Sequence, residues 1–217
     1  MSGEVVGPHS NSYMRIEQRN KVNAGFEGTD ILPGPEYRLP VRQRGQSPAV
    51  LTVVPSYPSF PPEMVYPRTP HTAEPAACFR EAGSSRVAYF AGDVDRTFWL
   101  SGNTDLGLLL HNTIRWLRGE NAPPVTVTGD GLVETFAWET EAGYALHLLN
   151  YTNPNAMRGP FRRFYSIGTQ RVAFHAAKPV QSVRALRSGH PLKFHQDGQR
   201  VTFAVPAVED YELISLV

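Results

Sequence analysis

The chain has 217 residues, with 21 lysines and arginines against 20 aspartates and glutamates, 18 glycines and 19 prolines. Its hydrophobic content of 41% and aromatic content of 11% are enough for a folded core, which excludes wholesale disorder. A net charge of +1 offers no broad basic face, so nucleic acid and anionic membranes are not expected partners. The longest apolar runs, Leu106 to Leu110 and Ala145 to Leu149, fall far short of the roughly 20 residues that span a bilayer.

Met1 to Ser12 carries neither a basic start nor an apolar run, so no secretory signal is read there. The single cysteine, Cys78, permits no internal disulfide and fits a reducing compartment; a cytoplasmic location is the expectation. Up to about Pro75 the chain is rich in turn residues, with short extended candidates at Ser12–Glu17, Glu36–Val41 and Ala49–Val54 and a polar connection over Arg42–Ser47. Pro55, Pro58, Pro61, Pro62, Pro67 and Pro70 then fix φ and remove donors, which predicts a stiff surface loop packed through Tyr57, Phe60 and Tyr66.

The best-defined unit follows: a strand over Arg86–Phe90, a polar turn over Gly92–Thr97 and an amphipathic helix over Thr104–Arg118. Leu106, Leu109, Leu110, Ile114 and Leu117 recur at helical spacing and predict its buried face. Asn103 or Thr104 caps its start, and Gly119 ends it before Pro123 and Pro124. A helix placed after a strand in this way usually covers a parallel sheet, so the first 120 residues are expected to be α/β.

From Val125 the period changes to two. Strands are predicted at Val125–Thr128, Leu132–Trp138, Tyr144–Asn150, Gln170–Ala176, Val180–Leu186, Leu192–His195, Arg200–Val205 and Tyr211–Val217, with hairpins at Thr140–Gly143 and Asp197-Gly198. Eight short strands predict an all-β sandwich. The domain boundary falls at Glu120–Pro124, giving an α/β domain over 1–120 and a β-sandwich over 121–217. One helix in 120 residues is too few for a doubly wound sheet, so the first domain is expected to be partial.

Phosphate-binding glycine loops and serine elbows are absent from the sequence. His190 and His195 do not make up the three or four ligands a metal needs, so no metal and no cofactor is expected. Cys78, in Pro75-Ala76-Ala77-Cys78-Phe79, reads as a buried inert thiol rather than a nucleophile. Asn150-Tyr151-Thr152 matches a glycosylation acceptor, and with no secretory signal read at the start a chance match is the expectation.

The densest chemistry is Gly92-Asp93-Val94-Asp95-Arg96-Thr97-Phe98-Trp99, at the carboxyl end of a strand. Asp93 and Asp95 either form an acid–base pair or bind sugar hydroxyls beside Trp99. Alternatively, Asp95 and Arg96 make local ion pairs while Phe98 and Trp99 anchor the loop in the core. A second cluster, Glu63, Tyr66 and Arg68, is held rigid by Pro61, Pro62 and Pro67 and is either an interface or a structural loop. A third candidate groups Arg158, Arg162 and Arg163 with Phe161, Phe164 and Tyr165, to stack on bases or sugars or to serve as an ordinary loop.

Asn11-Ser12-Tyr13 to Glu17, Gly25 to Asp30, Pro33 to Val41, Pro61 to Arg68, Tyr89 to Trp99 and Asn112 to Leu117 together resemble the β-galactosidase trimerisation domain of large bacterial glycoside hydrolases. Ala137-Trp138-Glu139, His147 to Asn155 and Val205 to Tyr211 resemble the terminal β-domain of those proteins. The resemblance implies a partial flavodoxin-like α/β domain, related in fold to class I glutamine amidotransferases, followed by an all-β sandwich. It also implies a preceding TIM barrel that holds the catalytic carboxylates, so no residue here is assigned a catalytic role. The implied partners are a homotrimer of the chain itself or the barrel domain. With a role in assembly and in shaping the barrel's cleft, Glu63, Tyr66, Arg68, Asp93, Asp95, Arg96 and Trp99 are the candidate carbohydrate or interface contacts, and a stand-alone carbohydrate-binding or protein-interaction module is the alternative role.

Overall fold

Two hydrophobic clusters organise the chain, one in the unit Met1–Asn121 and one in the unit Ala122–Val217. The computed structural model describes residues 3–42, 49–119, 121, 123–153 and 163–217; Arg158, Phe161, Arg162 and most of the predicted connection over Arg42–Ser47 lie outside the described residues.

In the first unit, β1 (Tyr13–Ile16), β2 (Ile31–Pro33), β3 (Leu51–Val54), β4 (Pro75–Ala82) and β5 (Ser85–Phe90) form one sheet in the order β2-β1-β3-β4-β5. Every pairing is antiparallel. This overturns the flavodoxin-like α/β expectation, because a parallel sheet requires a crossover of a dozen or more residues between neighbouring strands. Here β4 turns into β5 through Gly83-Ser84 alone, with Gly83 at φ +60°, where a residue lacking Cβ is unstrained. Both helices, α1 (Val94–Ser101) and α2 (Thr104–Arg118), come after the last strand and connect none of the strands. α2 packs against β2 and β5. Met14, Leu32, Leu51, Leu106 and Leu109 make up the most deeply buried part of this core.

α2 starts and ends where its caps predict: Asn103 Oδ1 accepts from the amides of Asp105 and Leu106, and Gly119 closes it at φ +69°. Its buried face is the predicted one only in its first half, where Leu106 and Leu109 are buried and Leu110 packs on the core. Leu106, Leu109, Asn112 and Thr113 are buried, whereas Ile114 is 61% and Leu117 40% exposed. Two polar residues can turn inward because each is satisfied there: Asn112 Nδ2 donates to Ala24 O at 2.8 Å and Thr113 Oγ1 to Leu109 O at 2.8 Å. The segment Glu36–Val41, predicted as a strand, contributes only isolated bridges from Arg38 to Val6 and Gly92; it carries Pro40 and follows Pro35, which lack ladder donors. Of the proline-rich loop's aromatics, Tyr57 stacks on Tyr13 (centroids 5.9 Å, planes 4° apart), while Phe60 is 78% exposed.

The second unit is the expected sandwich. β6 (Val125–Thr128), β7 (Val133–Thr140), β8 (Gly143–Asn150), β9 (Gln170–His175), β10 (Val183–Ala185), β11 (Phe194–Asp197), β12 (Arg200–Val205) and β13 (Tyr211–Leu216) form two antiparallel sheets. Their orders are β10-β13-β8-β7 and β11-β12-β9-β6. Alternate residues of each strand enter the shared core, among them Leu146, Leu148, Val201, Ile214 and Leu216 at 0% exposure. The second predicted hairpin turns one residue later than expected, at Gly198-Gln199 with Gly198 at φ +56°.

Candidate interface sites

Asp93 lies at the carboxyl end of β5, and all its chemistry is turned inward. Its Oδ1 accepts from the Tyr37 amide at 2.8 Å and from Thr97 Oγ1 at 3.2 Å, and its Oδ2 from Arg96 Nη1 at 3.0 Å. Arg96 also donates to Glu36 Oε2 at 2.7 Å and lies over the Tyr37 ring at 5.3 Å. Glu36 and Asp93 together hold the guanidinium's pKa above its ordinary value. Thr97 Oγ1 accepts in turn from the Glu36 amide at 3.0 Å. The cluster thus ties the start of α1 to the irregular segment around Glu36 and Tyr37, which has no sheet ladder to hold it.

The predicted polar turn is the first turn of α1, since Val94 buries and seeds the helix. Asp95 points from that turn to solvent and joins none of these bonds, so the two aspartates are not brought together as an acid–base pair. Phe98 packs on the core as expected, in contact distance of Gly107: a Cβ at Gly107 would lie 2.8 Å from the Phe98 ring. Trp99 does not; it is 81% exposed, followed by Leu100 at 41%. Packing of Phe98 on the core and exposure of the next residue follow from the roughly 100° step between helical side chains.

Glu63 lies in a single 3₁₀ turn, Pro62–Met64. Arg68 Nη2 donates to Met64 Sδ at 3.2 Å and its guanidinium lies 5.9 Å from the Tyr66 ring centroid. All three of Glu63, Tyr66 and Arg68 are exposed. Among the described residues no hydrogen bond or ion pair joins this cluster to the one at Asp93. Arg163 of the third candidate lies over Tyr165 at 5.7 Å.

The sequence reading missed Glu36 and Tyr37, which complete the Asp93 cluster, and the outward face of the β7 sheet. There Phe136 and Trp138, on one side of β7, are 48% and 63% exposed, beside the β8 residue His147, whose Nδ1 is 2.8 Å from the hydroxyl of Tyr211 on β13. The signal was present as aromatic residues two apart at 136 and 138, a spacing that puts both on one face of a strand.

Cys78 is half-buried on β4, and burial pushes its thiol pKa up, away from nucleophilic chemistry. Asn150 of the Asn150-Tyr151-Thr152 motif is 5% exposed, and its Nδ2 donates to three backbone carbonyls. Among the described residues no three His, Cys, Asp or Glu side chains gather as metal ligands, and no helix is long and apolar enough to cross a membrane.

No family model matches this sequence, and no curated protein matches it. Among solved structures, the fold is similar to that of α-L-fucosidase isoenzyme 2 from Paenibacillus thiaminolyticus, at 18% identity and a TM-score of 0.60. The match covers 100% of this chain and 34% of the fucosidase chain, so the chain spans about a third of that protein's length. At that identity the likeness concerns the fold.

Proposed function

We propose that the chain is a non-catalytic assembly region, built of two domains, of a carbohydrate-active glycoside hydrolase. The observation that carries this reading is Trp99. It stands 81% exposed on a helix whose first turn is locked by the Asp93–Arg96–Glu36 cluster, so the ring is presented from a fixed base at little ordering cost. Large exposed aromatics on rigid elements are the usual anchors of protein interfaces. Leu100, Ile114 and Leu117 add exposed apolar surface on the same two helices. The fold likeness to one third of an α-L-fucosidase supports the hydrolase context, and the inward-turned oxygens of Asp93 support the absence of catalysis here. The partner in this reading is a TIM-barrel domain or two further copies of the chain.

Sedimentation of the purified chain tests it. Self-association that Trp99→Ser abolishes supports the trimer, and capture of a barrel domain that the same variant abolishes supports the other partner. Hydrolysis of aryl glycosides by the chain alone overturns the reading.

A second reading, a glycan-binding module, is favoured by Phe136 and Trp138. Two aromatic rings exposed on one sheet face, with the His147–Tyr211 pair nearby, suit stacking on sugar rings and hydrogen bonding to hydroxyls. Quenching of tryptophan fluorescence by neutral oligosaccharides, lost in Trp138→Ala, would establish it.

A further inference from the structure

The first unit contains an open cleft of about 710 Å³, walled by the 3₁₀ turn Lys21–Asn23 with the residues before it, the β4–β5 hairpin and the last turns of α2. Three cations line it, Lys21, Arg86 and Arg115, against one carboxylate, Glu81. The negative end of α2 offsets roughly half a charge, which leaves the cleft positive in a chain that is nearly neutral.

Arg86 is fixed: its Nε donates to Glu81 Oε1 at 2.9 Å, its Nη1 donates to Trp116 O at 2.7 Å, and its guanidinium lies 5.7 Å from the Trp116 ring centroid. Gly119 leaves the room for this, since a Cβ there would lie 2.7 Å from Arg86 Nη1. Lys21 and Arg115 have no ion-pair or side-chain hydrogen-bond partner among the described residues. An anionic ligand therefore meets two uncommitted charges and one pre-oriented guanidinium.

The remaining lining groups say what else that ligand carries. Asn112 is 8% exposed; its Nδ2 is used on Ala24 O, and its Oδ1 accepts from no described residue. Asn20 uses its Oδ1 to cap the 3₁₀ turn, and its Nδ2 donates to no described residue. Gln18 adds a complete amide. A simple anion such as sulfate only accepts hydrogen bonds and offers no donor to the Asn112 amide oxygen. Hydroxyl groups donate and accept, and satisfy both kinds.

We propose that this cleft binds an acidic sugar of the hexuronate class, its carboxylate among Lys21, Arg86 and Arg115 and its hydroxyls on Gln18, Asn20 and Asn112. The site does not depend on the assembly reading above, because every residue lining it belongs to one unit of the chain.

Isothermal titration of the 217-residue chain with D-glucuronate and D-galacturonate at low salt tests the proposal, with D-galactose and sodium sulfate titrated in parallel. At least one uronate should bind, about tenfold or more tighter than galactose or sulfate, and its affinity should fall on adding salt. Lys21→Gln with Arg115→Gln should weaken that binding by about tenfold or more. Both side chains are exposed, so thermal melting should show the variant folded, and Lys21→Arg with Arg115→Lys should restore part of the affinity. Failure of both uronates to bind overturns the proposal. So does equal binding of galactose, equal binding of sulfate, or an unchanged affinity in the folded double variant.

Discussion

The Asp93 carboxylate accepts a hydrogen bond from the backbone amide of Tyr37 across 56 residues of sequence, at 2.8 Å. An extended segment that joins no ladder is thereby anchored by one side chain at the head of α1. Removing that acceptor leaves the half-buried Tyr37 amide without its partner, while the exposed Arg96 guanidinium keeps Glu36. Asp93→Ala is expected to lower unfolding stability by about 2–3 kcal/mol. Asp93→Asn, which keeps an acceptor for the amide and loses only the solvent-screened ion pair to Arg96, should cost clearly less than the alanine variant. Urea unfolding followed by tryptophan fluorescence measures both, and equal stability of the alanine variant and the parent would contradict a structural role for Asp93.

Trp99 makes the opposite prediction. With its ring in solvent, Trp99→Ser should change the stability of the isolated chain by no more than about 0.5 kcal/mol. If the ring is an interface anchor, the same substitution should weaken association by about tenfold or more in sedimentation velocity. Loss of stability without any change in association would place Trp99 in the fold rather than in an interface.

The contrast between these two residues shows what was legible in the sequence. The sandwich was readable because alternation fixes which side chains of β8 and β13 turn inward, and the ends of α2 were readable because Asn103 and Gly119 act within one turn of themselves. The first sheet was not. A helix after a strand is compatible with parallel or antiparallel pairing, and direction is set by connections such as Gly83-Ser84, which a strand-and-helix pattern does not weigh. Asp93 stood out as a charged residue after a strand, yet its partners Glu36 and Tyr37 lie far away in sequence, so its role could not be read locally. The uronate cleft draws Lys21, Arg86 and Arg115 from three elements, and no spacing rule links them.

Asn150 is a sharper test of buried polar chemistry. Its Nδ2 serves the carbonyls of Tyr165 at 2.7 Å, Glu209 at 2.5 Å and Val208 at 3.3 Å, while its Oδ1 accepts from the Thr152 amide at 2.9 Å. Asn150→Ala removes these bonds and is expected to cost about 3 kcal/mol. Asn150→Asp keeps the volume but points a carboxylate oxygen at carbonyl oxygens, so it should destabilise more than alanine at pH 7 and recover partly in acid as the carboxyl gains a proton. Thermal melts of both variants at pH 7 and pH 4.5 decide this; an aspartate variant as stable as the parent at pH 7 would show that the three carbonyls do not need the donor.

Acid sensitivity should be traceable in part to Asp210. Burial pushes its carboxyl pKa up, but Arg187, with Nη1 2.7 Å from Oδ1, and the backbone amides of Asp210 and Tyr211 outweigh burial and hold it below the ordinary carboxylate range. Oδ1 is itself shielded from solvent, so Arg187, 2.7 Å away, is the charge that faces it. A group whose folded pKa is depressed contributes stability above its unfolded pKa, about 3.9 for aspartate, and loses it as the pH falls through the folded value. The contribution is therefore complete at pH 5 and above and declines below about pH 4. Asp210→Asn should be less stable than the parent at pH 6, and the gap should narrow steadily towards pH 3, because the parent must protonate a carboxyl that the variant lacks. Arg187→Gln should narrow the same gap from the other side by letting Asp210 titrate nearer its ordinary value. Stability curves of the parent and Asp210→Asn that stay parallel from pH 6 to pH 3 would exclude Asp210 as a source of the acid response.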